Sequence, residues 1–93
     1  MRVIWTRQAV EDVEAIKAYV ARDSERYAAL LAERLVAAVG RLEFFPQSGR
    51  VVPEVGDESL REVIYGNYRL VYRLQPDAVE MVTVYHAARL LRL

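Results

Sequence analysis

The chain has 93 residues, with 13 basic and 13 acidic side chains, a formal net charge of zero and no cysteine. This length predicts a single domain, 1–93, because chains divide into separate domains only when they are considerably longer. The absence of cysteine excludes disulfide frameworks, zinc–thiolate sites and thiol nucleophiles, and is typical of the reducing cytoplasm. We expect neither a membrane segment nor a signal peptide, because no run of about 18 apolar residues occurs and residues 1–6 are too short and polar.

The first half of the chain predicts a short strand and a helical hairpin. Val3–Trp5 is an apolar strand, and Thr6 is suited to cap the helix that follows. Asp23-Ser24, two residues suited to cap a helix, interrupts the helical pattern, and Pro46 ends the second helix by Phe45. The two apolar stripes at helical spacing are Ala9, Val13, Ile16 and Val20, and then Ala28, Leu31, Leu35, Ala38 or Val39, and Leu42.

The second half predicts a surface loop over 46–59 and then a three-stranded meander. The loop is rich in proline, glycine and acidic residues. Gly66-Asn67 and Gln75-Pro76-Asp77 are suited to tight hairpin turns. The predicted strands are Leu60–Tyr65, Tyr68–Leu74 and Val79–Tyr85.

The middle strand alternates between an apolar face and an arginine-bearing face. Leu70 and Tyr72 point one way, whereas Arg69, Val71 and Arg73 point the other. We therefore predict an α+β fold, in which the helical hairpin packs on one face of an antiparallel sheet and the N-terminal strand joins a sheet edge. The arginine-bearing face is expected to stay open.

The chemistry that the residues could support is concentrated on and after the last strands. Phosphate-binding glycine loops and metal motifs are absent, and a serine triad finds no suitably placed serine. Cleavage of RNA by its own 2′-hydroxyl needs a base, an acid and cations, which His, Tyr and Arg can supply. The alternative is that the arginines are solvated sheet residues paired with Glu62 or Glu80, and that the histidine is a structural or surface residue. The cluster is Arg61, Tyr65, Arg69, Arg73, Tyr85, His86 and Arg89.

Five groups of residues, spread over the full length of the chain, are specific together through their order and spacing. They are Trp5-Thr6 with Ala9 and Asp12, Pro46 with Gly49-Arg50 and Val52-Pro53-Glu54, Leu60-Arg61-Glu62, Tyr68-Arg69-Leu70-Val71-Tyr72, and Val84-Tyr85-His86-Ala87-Ala88-Arg89. With these motifs the chain resembles the RelE/ParE toxin superfamily of bacterial type II toxin–antitoxin systems. The resemblance implies a helical hairpin on a curved antiparallel sheet. It implies neither a metal nor another cofactor.

One branch of this superfamily, the RelE-like toxins, cuts mRNA in the ribosomal A site. Arg69 matches one arginine of that branch, but its second arginine falls on Ala87 and its terminal tyrosine on Leu93. Its lysines have no counterpart, because Lys17 is the only lysine of the chain. If the chain is such a ribonuclease, the resemblance gives the catalytic residues as Arg69, His86, Tyr85 and Arg89.

The ParE-like branch, which lacks the nuclease residues and poisons DNA gyrase, is the favoured assignment. It is favoured by the loop Gly49–Glu54, the triplet Leu60-Arg61-Glu62 and the His-x-x-Arg ending. Zero net charge agrees, because a ribosome-binding ribonuclease is expected to carry a stronger phosphate-contacting patch. The expected target-binding residues are Arg61, Arg69, Arg73, His86 and Arg89.

The resemblance also implies a cognate antitoxin, whose disordered tail folds on the toxin to give a hetero-oligomer. The candidate antitoxin contacts lie off the main helical stripes, and they are Tyr19, Tyr27, Leu30 and Val36. The alternative for these four residues is a broader core stripe. An interaction module without toxicity is the remaining alternative for the whole chain.

Overall fold

The computed structural model describes residues 1–88. The elements are β1 (Arg2–Trp5), α1 (Arg7–Ala21), α2 (Glu25–Gly40), a single 3₁₀ turn (Arg41–Glu43), β2 (Arg50–Val51), β3 (Leu60–Tyr65), β4 (Tyr68–Leu74) and β5 (Ala78–His86). Within the described residues these strands form one open sheet in the order β1-β5-β4-β3-β2, with the two helices on one face. The predicted α+β class is confirmed.

The two helices begin at the predicted caps. The hydroxyl of Thr6 accepts a hydrogen bond from the amide of Ala9, and the hydroxyl of Ser24 accepts one from the amide of Tyr27. Each cap satisfies an amide that has no partner inside its helix. No helix among residues 1–88 is long and apolar enough to cross a bilayer.

The main core lies between the helices and the sheet. It is built from the predicted helical stripes and from the apolar face of β4 and β5, with Leu35, Leu42, Leu70, Tyr72 and Met81 fully buried. A two-residue turn joins β3 to β4, and Gly66 has the positive φ of 56° that its first central position requires. This turn sets the register in which Arg69 lies opposite Ile64.

Two features of the sheet differ from the prediction. β1 pairs with β5 in parallel, so the sheet is mixed and not purely antiparallel. Periodicity defines the faces of a strand but not the direction of its neighbour, and the helical hairpin returns the chain so that both strands run the same way. The predicted loop 46–59 also contains β2, whose two residues are too few to show an alternating pattern.

The sheet face opposite the helices carries a second, smaller core. Val52 from the loop 46–59 is fully buried against Leu60 and Val71, and Val82 and Tyr85 pack around them. The expectation that this face stays open is therefore wrong where the loop crosses it. Burial of one apolar loop residue brings the acidic side chains of the loop towards the arginines of β4.

Candidate functional site

Four charged side chains form a connected network on the sheet face opposite the helices. Glu62 of β3 is buried, and its two oxygens accept hydrogen bonds from Arg69 Nε at 2.5 Å and from Arg50 Nε at 2.7 Å. The other edge of the Arg69 guanidinium binds Glu54 through two parallel bonds, of 2.6 Å and 2.8 Å. Arg69 therefore joins a buried carboxylate of the sheet to a carboxylate of the loop.

Within this network, the geometry of one pair fixes the charges of Glu54 and Arg69. The bidentate hydrogen bonds from Arg69 lower the pKa of Glu54 from 4.5 to about 2. The same pair raises the pKa of the Arg69 guanidinium, although burial acts in the opposite direction. Both partners stay ionised near neutral pH. All three nitrogens of Arg69 are engaged by carboxylates, and only 8% of its side chain is exposed.

Tyr85 lies under the Arg69 guanidinium. The guanidinium carbon is 5.3 Å from the centre of the Tyr85 ring, a cation–π contact. Burial raises the pKa of the Tyr85 hydroxyl, and within residues 1–88 this buried oxygen has no hydrogen-bond partner. The phenol is thus a neutral support for the arginine.

A cleft of about 450 Å³ lies on the other side of the sheet, between α1 and the ends of β4 and β5. Tyr19 lines it from the helix, and Tyr68 and His86 line it from the sheet. The rings of Tyr68 and His86 meet edge to face at 5.6 Å. Nδ1 of His86 accepts a hydrogen bond from the amide of Ala88, so Nε2 is the protonated nitrogen of the neutral ring.

Four of the five predicted target-binding residues lie within residues 1–88, and the structure divides these four between the two faces of the sheet. Arg69 and Arg73 lie on the face opposite the helices, opposite Ile64 and Leu60 of β3. Arg61 alternates onto the helix-facing side, where Nη1 donates to the carbonyl of Gly49. His86 also lies on that side, opposite Tyr68. Arg89 lies outside the described residues.

The four predicted antitoxin contacts are all exposed, so their alternative assignment as a broader core stripe is wrong. They do not form one surface. Tyr27 and Val36 are nine residues apart, which places them on opposite flanks of α2 at 3.6 residues per turn. Leu30 is close to the flank of Tyr27, and Tyr19 faces the cleft beside α1.

Within residues 1–88 no group of three or more His, Asp or Glu side chains is arranged to hold a metal ion. The roles of Glu54 and Arg50 were missed from the sequence. Glu62 was considered only as one possible partner, although a signal for its pairing with Arg69 was present. The two-residue turn places Ile64 opposite Arg69, and Glu62 is then the diagonal neighbour on the same face.

The ParE toxin model of the type II toxin–antitoxin system parDE matches residues 3–91. The chain belongs to the ParE toxin family. Toxin RelE2 of Caulobacter vibrioides is 34% identical over 90 residues, which cover 96% of this chain and 98% of the relative. Y4kP of Sinorhizobium fredii is 35% identical over 88 residues, covering 92% and 88% of the two chains. The chain is therefore a type II toxin of the ParE/RelE superfamily.

Two solved toxin–antitoxin systems share the fold of this ParE family member. The chromosomal ParDE system from P. aeruginosa aligns with a TM-score of 0.75 at 20% identity, over 92% of this chain and 95% of its own. The RelBE2 complex from Mycobacterium tuberculosis aligns with a TM-score of 0.56 at 20% identity, over 91% and 95%. At this identity the similarity shows the common architecture.

Proposed function

We propose that this ParE family toxin acts by binding DNA gyrase and trapping it in a cleavage complex, without catalysing a reaction of its own. The observation that carries the proposal is the engagement of Arg69. Its hydrogen bonds to Glu54 and Glu62 occupy the guanidinium N–H groups with which an arginine binds a phosphate. Binding to a protein does not require these N–H groups to be free, whereas RNA cleavage requires them free to contact the phosphate.

The surroundings of Arg69 support the same choice. A phosphate approaching the guanidinium would meet the carboxylate of Glu54, which is half exposed and ionised. Repulsion between like charges opposes RNA binding at this point. The chain also carries alanine at 87, where the ribonuclease branch has its second arginine, and lacks that branch's lysines.

Ribosome-dependent mRNA cleavage is the second candidate. It is favoured by the relative named RelE2 and by His86, whose ring lines the cleft beside α1 together with Tyr68. In that case a catalytic role remains proposed for Arg69, Tyr85, His86 and Arg89. Arg69 would then have to exchange Glu54 for a phosphate of the message.

We further propose a cognate antitoxin as partner in a hetero-oligomer in the bacterial cytoplasm. The exposed apolar residues on the two helices support it, because a monomer gains nothing from leaving them in water. Their arrangement favours an antitoxin segment that contacts both flanks of α2 and the cleft beside Tyr19. Such a segment would wrap around the hairpin and not lie along a single stripe.

Purified toxin tests the function directly. We expect inhibition of gyrase supercoiling together with accumulation of gyrase-linked DNA breaks, and intact mRNA in a translating extract. Leu35→Asp, which places a charge in the core at a fully buried position, is the inactive control. Cleavage of message inside translating ribosomes with gyrase unaffected would contradict the proposal. Lack of both activities and of growth arrest on induction would favour the non-toxic module.

A further inference from the structure

Hydrogen bonds hold the loop 46–59 to the sheet at both of its ends, and one side-chain pair holds its tip. At its start, the hydroxyl of Tyr72 accepts a hydrogen bond from the amide of Gly49 and donates one to the carbonyl of Pro46. At its end, the carbonyl of Ser59 accepts a hydrogen bond from the amide of Leu74. Val52 is buried, but residues 53–58 are exposed.

The tip of the loop is the segment Pro53–Gly56. Its backbone closes on itself, because the carbonyl of Val52 accepts hydrogen bonds from the amides of Val55 and Gly56. Among the described residues, the only side-chain bond from this tip to the sheet is the pair between Glu54 and Arg69. Beside Glu54, the apolar side chain of Val55 is about half exposed.

Arg69 is itself held in place by residues of the sheet. Glu62 fixes its Nε, and the ring of Tyr85 supports the plane of the guanidinium. Glu62 is itself held by Arg50, at the start of the same loop. The guanidinium of Arg69 is therefore fixed and nearly buried. Glu54 occupies its outward edge and so blocks contact between Arg69 and a second macromolecule.

We propose that Arg69 is a positioning residue, which holds the tip Pro53–Gly56 in place, and that this tip makes the contact with the toxin's target. The inference rests on the proposed function for the identity of that target. It assigns the exposed target contact to Val55 and its neighbours. Arg69 then acts on the target only through Glu54.

Replacing the carboxylate of Glu54 changes toxin activity differently in the two possible roles of Arg69. If Arg69 positions the tip, Glu54→Gln weakens the clamp and lowers toxin activity, as Arg69→Gln does. If Arg69 touches the target, Glu54→Gln frees its outward edge and leaves activity unchanged or raises it. The double variant separates the cases further, because two residues that act through one bond give non-additive losses.

The experiment measures gyrase inhibition and growth arrest for Glu54→Gln, Arg69→Gln, the double variant and Val55→Asp. We expect each single variant to lose at least about tenfold in potency, and the double variant to lose no more than Arg69→Gln alone. Glu58→Gln is the matched control, because it makes the same charge change in the same loop and its side chain has no bond within residues 1–88. Equal or greater potency of Glu54→Gln would overturn the proposal.

A second measurement follows the tip itself and does not depend on toxicity. Because the chain has no cysteine, Val55→Cys provides a single site for a nitroxide spin label. We expect the spin label to be more mobile in the Glu54→Gln background than in the Glu58→Gln background. Both variants should remain folded, as a cooperative thermal unfolding transition will show. Equal label mobility would show that Arg69 does not hold the tip.

The two proposals fail separately. If the wild type leaves gyrase untouched but arrests growth, the gyrase proposal fails while the sign of the Glu54→Gln effect on growth arrest still tests the positioning role. If the wild type inhibits gyrase and Glu54→Gln inhibits it equally well, the gyrase proposal stands and the positioning role fails. If the wild type has neither activity, the label alone decides whether Arg69 holds the tip.

Discussion

At the scale of single residues, Gly49 is where the loop lies closest to the sheet. A methyl group on Gly49 would come within 2.6 Å of both the carbonyl oxygen of Glu62 and the hydroxyl of Tyr72. Glycine is required here by close approach, because a backbone carbonyl cannot move aside as a flexible side chain can. The same contact places Arg50 beside Glu62, so this glycine is a condition for the charged network.

Alanine substitution separates this glycine from an unconstrained one. Gly49→Ala should lower the free energy of unfolding by about 1–3 kcal/mol, because the added methyl group overlaps two atoms. Gly40→Ala at the end of α2 is the matched control, since its helical φ of −58° suits alanine and no atom lies within 4 Å of the added carbon. The control should stabilise by about 0.4–1 kcal/mol. Urea denaturation measures both, and equal effects would contradict the close approach.

The pair between Glu54 and Arg69 should also make the stability of the folded protein depend on pH in the acid range. The pKa of Glu54 is lowered from 4.5 to about 2 in the folded protein, chiefly by hydrogen bonds from Arg69. Because the folded pKa is the lower one, the pair stabilises fully above about pH 4.5, and its contribution is lost as the pH falls towards 2.

Glu54→Gln removes this titration. We expect the difference in melting temperature between wild type and Glu54→Gln to be constant from pH 6 to 7 and to shrink steadily between pH 4.5 and 2. Thermal unfolding followed by circular dichroism at a series of pH values measures it. A difference that keeps its size down to pH 2 would mean that Glu54 is not held by a charged partner.

At the scale of elements, α1 completes the edge of β5 where β1 ends. β1 pairs with β5 only as far as Met81. The hydroxyl of Thr6 then donates to the carbonyl of Met81, and Oδ2 of Asp12 accepts hydrogen bonds from the amide of Val84 and the hydroxyl of Thr83. The helix thereby provides partners that a longer β1 would otherwise supply.

Asp12→Ala should expose this edge. We expect a loss of about 1.5–3 kcal/mol in the free energy of unfolding, because a charged acceptor is removed from a partly buried amide. Hydrogen exchange at the Val84 amide should accelerate more than at Leu70, which lies opposite it in β4. Glu11→Ala, one position along the same helix at an exposed site, is the control. Unchanged exchange at Val84 would contradict the capping role.

Much of the element structure could be predicted because it depends on local signals. Thr6 and Ser24 are favourable capping residues next to an apolar helical stripe, and the two-residue Gly66-Asn67 turn sets two strands in register. The candidate site was harder, because it depends on a loop whose path no periodic pattern defines. A single buried residue, Val52, turns the loop onto the sheet and so decides that Arg69 is covered.

At the scale of the whole molecule, balanced charge and exposed apolar side chains act together. The formal net charge is zero and the isoelectric point is about 6.6, so long-range repulsion between copies is weak near neutral pH. Phe44 and Phe45 at the end of the helical hairpin are 73% and 65% exposed. A protein in this state is expected to self-associate until a partner covers its apolar surface.

Phe44→Ser/Phe45→Ser should therefore reduce self-association without weakening the fold. Both rings are mostly in water, so we expect the free energy of unfolding to change by no more than about 0.5–1 kcal/mol. Dynamic light scattering at pH 6.6 and pH 8.5 should show fewer large particles for the double variant, with the greater improvement at pH 6.6. Leu42→Ser at a fully buried position is the control, which loses several kcal/mol and aggregates more. Equal association of the double variant and the wild type would place the adhesive surface elsewhere, on the exposed flanks of the two helices.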